Sequence, residues 1–289
     1  GPNVLLDYQF MTDLDLEHLK SHTLTYTQGL AWRHWVTVMA SFTEIDATTV
    51  PGFGGLSRDG DNLELAVTYG IPLRSTAERS RSFELGFEFK SIGSTVEFID
   101  PAATYELAEL NGPTVEVFQF TFGYSDEIRH SNALTQFDIK GVLSPGGVTN
   151  HNSAAAVAAN RTGADPSYFY VRSSIEQQAE IPRDWRMRFR VDGQKANGNL
   201  IASEQLGAGG YDTVRGFDQQ VLSGDSGVVG TVELYTPNLA WGTRGDSFRL
   251  LGFFDFAALS SEDRLPAEPV NERVGSIGMG MRWDYSESF

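Results

Sequence analysis

Residues 185–192 read WRMRFRVD, with Trp185, Met187, Phe189 and Val191 alternating one for one with Arg186, Arg188, Arg190 and Asp192. A period of two sends successive side chains to opposite faces, so this stretch is a strand with one apolar and one charged face. The same beat runs through Leu63, Leu65, Val67, Tyr69 and Ile71 against Glu64, Ala66, Thr68 and Gly70, and through Phe83, Leu85, Phe87 and Phe89 against Glu84, Gly86, Glu88 and Lys90. It returns in Glu116, Phe118, Phe120, Phe122 and Tyr124, and again in Ile277, Met279, Met281, Trp283 and Tyr285. About twelve strands are expected, near 4–11, 20–28, 33–42, 62–71, 82–91, 114–124, 133–143, 167–178, 184–193, 227–236, 247–257 and 273–285, with no helix interrupting them.

Alternation alone also fits a soluble β-sandwich or barrel. Two features favour a membrane barrel. Many strands run to about ten residues with an aromatic near the ends of the apolar face, the length of a tilted span between interfacial girdles and about twice the usual soluble strand. The connections also alternate: 29–32, 72–81, 125–132, 179–183 and 237–246 are short, whereas 43–61, 92–113, 144–166, 194–226 and 258–272 are long. Outer-membrane barrels have short periplasmic turns and long outer loops, and a sandwich has no reason to keep that asymmetry. Pro72, Pro182 and Pro237 fall at short turns, where a missing N–H harms no ladder.

Composition narrows the partners. The chain has 289 residues, a formal net charge of −16, 40% hydrophobic residues and no cysteine. Disulfides and thiolate metal sites are excluded, and no Lys/Arg cluster offers a footprint for nucleic acid. No apolar run approaches the roughly 18 residues of a membrane-spanning helix, and no signal peptide opens the chain, although Gly1-Pro2 makes that silent about export.

Catalytic signatures are weak. Gly224-Asp225-Ser226-Gly227 has the look of a serine-protease nucleophile loop, but a triad needs a positioned histidine and acid. His18, His130 and His151 fall in expected loops, His22 and His34 in expected strands, and Val228 stands where that motif continues with glycine. A turn feeding a strand from Val228 is the simpler reading. No histidine pair has ligand spacing, Asp59 and Asp61 read as solvated loop charges, and Gly207-Ala208-Gly209-Gly210 lacks the strand and helix of a nucleotide loop. No catalytic residue, metal or cofactor is expected.

Val214-Arg215-Gly216-Phe217 reads differently. Gly209, Gly210 and Gly216 free the backbone, and Val214 and Phe217 give the tip apolar flanks, so the loop can tuck inward. A guanidinium held there needs a carboxylate. With Phe248, Leu250, Gly252, Phe254 and Phe256 on the lipid face of strand 247–257, Asp255 points inward to supply it.

These residues resemble the two-partner secretion transporters, the TpsB group of the superfamily that also contains the barrel-assembly protein BamA. Val214-Arg215-Gly216-Phe217 is similar to that superfamily's V-R-G-[FY] loop tip, and Phe253-Phe254-Asp255-Phe256-Ala257 to its F-x-D-x-G strand motif, with Ala257 in place of glycine. Ser203-Glu204-Gln205-Leu206, Gly209-Gly210, Gly224-Asp225 before Gly227, and Glu233 before Pro237 resemble the TpsB version more than the BamA version. The resemblance implies a barrel of sixteen strands behind two POTRA domains and a plug helix. Residues 1–289 are then expected to be a barrel with about twelve of those strands and neither POTRA domains nor plug, truncated at both ends, with 194–226 as the long extracellular loop. It also implies a monomeric bacterial outer-membrane pore, surrounded by lipid, that exports a large secreted exoprotein. The alternatives are a BamA-like insertase and a passive porin. Arg215 and Asp255 are expected to anchor the loop, and Arg186, Arg188, Arg190, Glu84, Glu88 and Glu233 to line the lumen.

Overall fold

The computed structural model describes residues 3–14, 19–47, 56–99, 106–240, 246–263 and 272–284; His18 and Tyr285 lie outside them. Nine strands follow one another as antiparallel neighbours: β1 (Val4–Thr12), β2 (Leu19–Gly29), β3 (Trp35–Ala47), β4 (Leu56–Pro72), β5 (Arg79–Ile99), β6 (Glu106–Arg129), β7 (Ala133–Pro145), β8 (Ser167–Ile181) and β9 (Trp185–Ala196). Two short strands, β10 (Leu206–Ala208) and β11 (Leu222–Gly224), form a separate ribbon inside the segment that follows. β12 (Ser226–Tyr235), β13 (Ser247–Ser260) and β14 (Glu272–Asp284) then continue the main sheet beyond β9, making twelve strands in sequence order. Among the described residues β1 pairs only with β2, and β14 only with β13.

The two faces of this sheet invert the rule of soluble proteins. Leu65, Phe87, Phe122 and Phe254 stay exposed, whereas Gln119, Thr121, Glu233 and Asp255 are buried. Large apolar side chains on the outside of a polar interior are what a barrel wall presents to hydrocarbon. Aromatic pairs knit the outer face across β5 and β6: Phe89 meets Phe118 at 5.0 Å between ring centroids, Phe83 meets Tyr124 at 5.2 Å and Phe87 meets Phe120 at 5.6 Å. Each contact joins residues paired in register, the unit of sheet stabilisation.

Sequence periodicity underestimates several of these strands, and β6 at both ends, since it runs on to Arg129 through part of the expected turn 125–132. The segments 43–61 and 92–113 are expected to be loops, yet β3 runs to Ala47, β4 starts at Leu56, β5 runs to Ile99 and β6 starts at Glu106. Ser94-Thr95-Val96-Glu97 and Glu106-Leu107-Ala108-Glu109 carry no sustained apolar stripe, and periodicity detects a strand only through such a stripe. Asp59 and Asp61 accordingly sit in β4, paired with Asp46 and Glu44, and not in a loop. His34 precedes β3 in a turn.

A helix also appears where none is expected. α1 (Ala154–Asn160) is a seven-residue turn of alanines, capped by the Ser153 side chain accepting from the Ala156 amide. It lies in the connection 146–166 and buries Val157 against Val115, Val117, Val142, Tyr168 and Tyr170 on the inner face. Val157 is the one large apolar side chain among five alanines, which makes no periodic signal, so tertiary packing selects this helix.

Candidate functional site

The segment between β9 and β12 folds onto the inner face and carries Arg215 to β12 and β13. Register places Thr231 opposite Asp255 and Glu233 opposite Phe253, so these four side chains form one patch of wall. Arg215 donates from Nε to Asp255 Oδ2 at 2.7 Å and from Nη2 to Asp255 Oδ1 at 2.6 Å, a bidentate fork. Its Nη1 donates to Glu233 Oε1 at 2.6 Å, its Nη2 to Thr231 Oγ1 at 2.9 Å, and its backbone amide to Asp255 Oδ2 at 3.1 Å. The guanidinium carbon lies 3.6 Å from the centroid of the Phe253 ring. Asp255 is fully buried, so its charge relies on these donors and on the Thr231 hydroxyl, which donates to Oδ1 at 2.5 Å. The hydrogen bonds it donates to Asp255 and Glu233 push the Arg215 pKa above its already high ordinary value.

Arg215 completes a row of alternating charge across the wall. Glu176 on β8 accepts from Arg188 on β9 at 2.9 and 3.0 Å, and the other side of Arg188 stands 3.8 Å from Glu233 on β12. Glu233 takes Arg215 on one oxygen and the Tyr235 hydroxyl on the other, and Arg215 leads to Asp255 on β13. The wall thus has an acid, base, acid, gap, acid sequence, and the loop supplies the missing base.

The tip backbone explains its glycines. Gly209 has φ +114° and an added Cβ would lie 2.4 Å from the Asp218 carbonyl oxygen, while Gly216 has φ +90° with open space around it. Val214 is fully buried among Leu206, Ala208, Val229, Ala257 and Leu259, so the methyl of Ala257 forms part of the seat. Phe217, the other apolar flank of the tip, remains exposed.

Two further ties hold the loop, and neither had a predicted role. Glu204, nearly fully buried, accepts from Lys90 Nζ on β5 at 2.9 Å and from the Tyr170 hydroxyl on β8 at 2.8 Å. Burial pushes its carboxyl up, but Lys90 and the hydrogen bonds outweigh burial and hold it below the ordinary glutamate value. Asp225 is the second tie. It accepts from Arg161 Nη1 at 2.5 Å and Nη2 at 3.0 Å, from the Leu200 amide at 2.9 Å, from Gln205 Nε2 at 3.2 Å and from the Glu262 amide at 3.1 Å. It therefore joins three connections at one carboxylate. Ser226, the would-be nucleophile, donates to Glu262 Oε1 and accepts from the Ala196 amide at 3.0 Å. The four-residue motif is a knot at the loop base, and its strand begins at Ser226, ahead of the expected Val228.

The remaining lumen candidates also lie on the inner face. Glu88 accepts from Lys140 at 2.6 Å, Arg190 donates to Asp192 at 2.8 and 3.1 Å, and Arg186 stands 3.3 Å from Glu180. Glu84 and Glu88 line a small cavity with Lys140 and Arg172. Sequence had one usable signal for the Glu204 tie, a lysine among acids on the inward face of β5. For Arg161 it had none.

A family model described as haemolysin secretion/activation protein ShlB/FhaC/HecB matches residues 108–282. No curated protein sequence matches. Among solved structures the chain is similar to CdiB from Escherichia coli, with TM-score 0.72 and 16% identity over 97% of this chain and 50% of that one. CdiB from Acinetobacter baumannii gives TM-score 0.68 and 14% identity over 96% and 47%. BamA from Haemophilus ducreyi lacking POTRA domains 1-3 gives 0.60 and 12% over 92% and 56%. The chain spans about half the length of these structures. At such identities the likeness is one of fold.

Proposed function

The chain belongs to the haemolysin secretion/activation family ShlB/FhaC/HecB, and on that premise we propose that it forms the wall of a bacterial outer-membrane pore that exports one large secreted polypeptide. The observation that carries this reading is the seating of Arg215 on Asp255 and Glu233 inside the wall. A loop fixed by a buried guanidinium fork narrows the lumen and gives it a defined shape, which a simple diffusion channel does not require. The outward apolar band suits lipid, and the polar inner face suits an extended chain whose backbone groups stay hydrated on the way through. No nucleotide is used. Folding of the cargo outside makes return unfavourable and drives net export.

In this reading residues 194–226 form the long extracellular loop, Arg215 and Asp255 anchor it, and Val214 in its pocket beside Ala257 fixes the depth of the tip. The test is co-expression of the full-length parent with its partner exoprotein. Cargo in the medium with the parent, and none without it, is expected. A parent that releases no cargo, while other barrels fail to assemble in its absence, is an insertase. Constitutive passage of small solutes with the loop seated, and no cargo, marks a passive porin.

A further inference from the structure

Gly278 on β14 has no local reason to be glycine. Its φ is not positive, so its backbone suits any residue, and it lies inside a strand, which glycine weakens. The reason comes from across the ladder. Register sets Gly278 opposite Phe253 on β13, which in turn stands opposite Glu233 on β12. The Phe253 ring leans onto the glycine, so that an added Cβ would overlap it, 2.6 Å from Cε1 and nearer still to Cζ. Gly280, next on the same face of β14, makes no such demand, since a Cβ there would meet Leu251 at an ordinary 3.4–3.6 Å.

The ring that fills this notch also meets the cation of the latch, with the Arg215 guanidinium carbon 3.6 Å from its centroid. The N–H edges of that guanidinium are taken by Asp255, Glu233 and Thr231 on β12 and β13, and its flat side is left to the ring. A fork of two bonds to one carboxylate holds only while guanidinium and carboxylate stay near one plane. The tilt of Arg215 therefore depends on where the Phe253 ring rests, and the ring rests where Gly278 leaves room. An aromatic over a glycine is by itself a packing device of this sheet. On the outer face Phe256 covers Gly230 in the same way, 2.5 and 2.6 Å from an added Cβ, and among the described residues no cation lies over that ring.

We propose that Gly278 is a positioning residue for the seated loop, acting through the Phe253 ring on the Arg215 guanidinium. It brings a third strand, β14, into a contact whose hydrogen bonds come from β12 and β13 alone. A methyl at position 278 closes the notch, shifts the ring and tilts the guanidinium on Asp255, without removing any backbone hydrogen bond of β14. The consequence for transport rests on the export reading, and the positioning itself rests on the ring geometry.

The experiment measures the rate of limited proteolysis within residues 209–221 of the full-length parent in detergent micelles, read only on the heat-modifiable, folded band. With dilute protease this rate follows the population of the unseated loop. Gly278→Ala should raise it about threefold, the effect of weakening one partly exposed cation–ring contact, and Gly280→Ala should leave it unchanged. A double-variant cycle separates positioning from a general weakening of β14. Phe253→Leu should itself raise the rate, and Gly278→Ala added to Phe253→Leu should raise it no further, because the ring that would clash is gone. The same factor in both backgrounds, an equal effect of Gly280→Ala, or a Gly278→Ala chain that yields no folded band overturns the proposal. Export is followed in parallel to keep the two readings apart. Faster cleavage with secretion at the wild-type level upholds the notch and removes the latch from export, whereas reduced secretion with unchanged cleavage refutes the notch.

Discussion

Arg215 is the residue on which the account turns. Its side chain is one-fifth exposed and holds Asp255, which is fully buried, so removing the guanidinium strands a buried charge. Breaking a buried pair of this kind costs about 3–5 kcal/mol, enough to unseat the tip. In the Arg215→Ala variant, limited proteolysis should cut within residues 209–221 while the strands stay protected. Arg215→Lys should also cleave, since an ammonium cannot serve both Asp255 oxygens and Glu233 in one plane. Gly216→Ala should give a weaker form of the same phenotype. A Cβ meets nothing within 4 Å there, so the cost is backbone strain at φ +90° alone, about 1–2 kcal/mol. Sequence reading reached Asp255 because the alternation of β13 fixes which way that acid points. It did not rank Glu233 or Thr231 as partners, because their contact depends on which register β12 takes against β13, and no local pattern encodes register.

At the scale of elements, the loop is a ribbon tied at its base, its shoulder and its tip. Asp225→Asn keeps the shape of the base knot and removes its charge, while Arg161, Gln205 and two amides still point at it. Charge-assisted bonds are worth roughly twice neutral ones, so faster hydrogen exchange is expected in both 197–225 and 154–166, with the rest of the sheet unchanged. Exchange confined to one of the two segments would mean that the knot does not join them. The Glu204 shoulder makes a prediction in pH. Its folded pKa lies below the ordinary glutamate value of about 4.3, so its stabilisation is complete above that value and is lost as pH falls through the lower, folded one. Current through single channels should be steady from neutral pH down to about 5 and become noisy below about 4. In Lys90→Met that transition should move upward, because burial then acts without its counterweight. The small ribbon β10–β11 and α1 were invisible to periodicity, being three and seven residues long and held by packing against the wall.

Across the whole molecule the governing fact is the inversion of faces. Alternation read from the sequence located all twelve strands of the sheet, eight of them with both ends within about three residues, since each repeats the same physical demand of one lipid side and one wet side. What it missed were the extensions of the β3–β4 and β5–β6 hairpins and the far end of β6, where that demand lapses. A charge placed on the outer band should therefore fail in a way that an inner change does not. Phe87→Arg is expected to cost about 2–4 kcal/mol if it sits near the bilayer midplane, and to lower the heat-modifiable, inserted fraction. Glu84→Gln, three residues away on the inner face, should leave insertion at the wild-type level. The central claim is that a loop latched inside this wall takes part in export, and the most direct measurement is cargo in the medium from the full-length parent carrying Arg215→Ala, at outer-membrane levels matched to wild type. Loss of most secreted cargo from a normally inserted barrel is the predicted result; secretion at the wild-type level would contradict it.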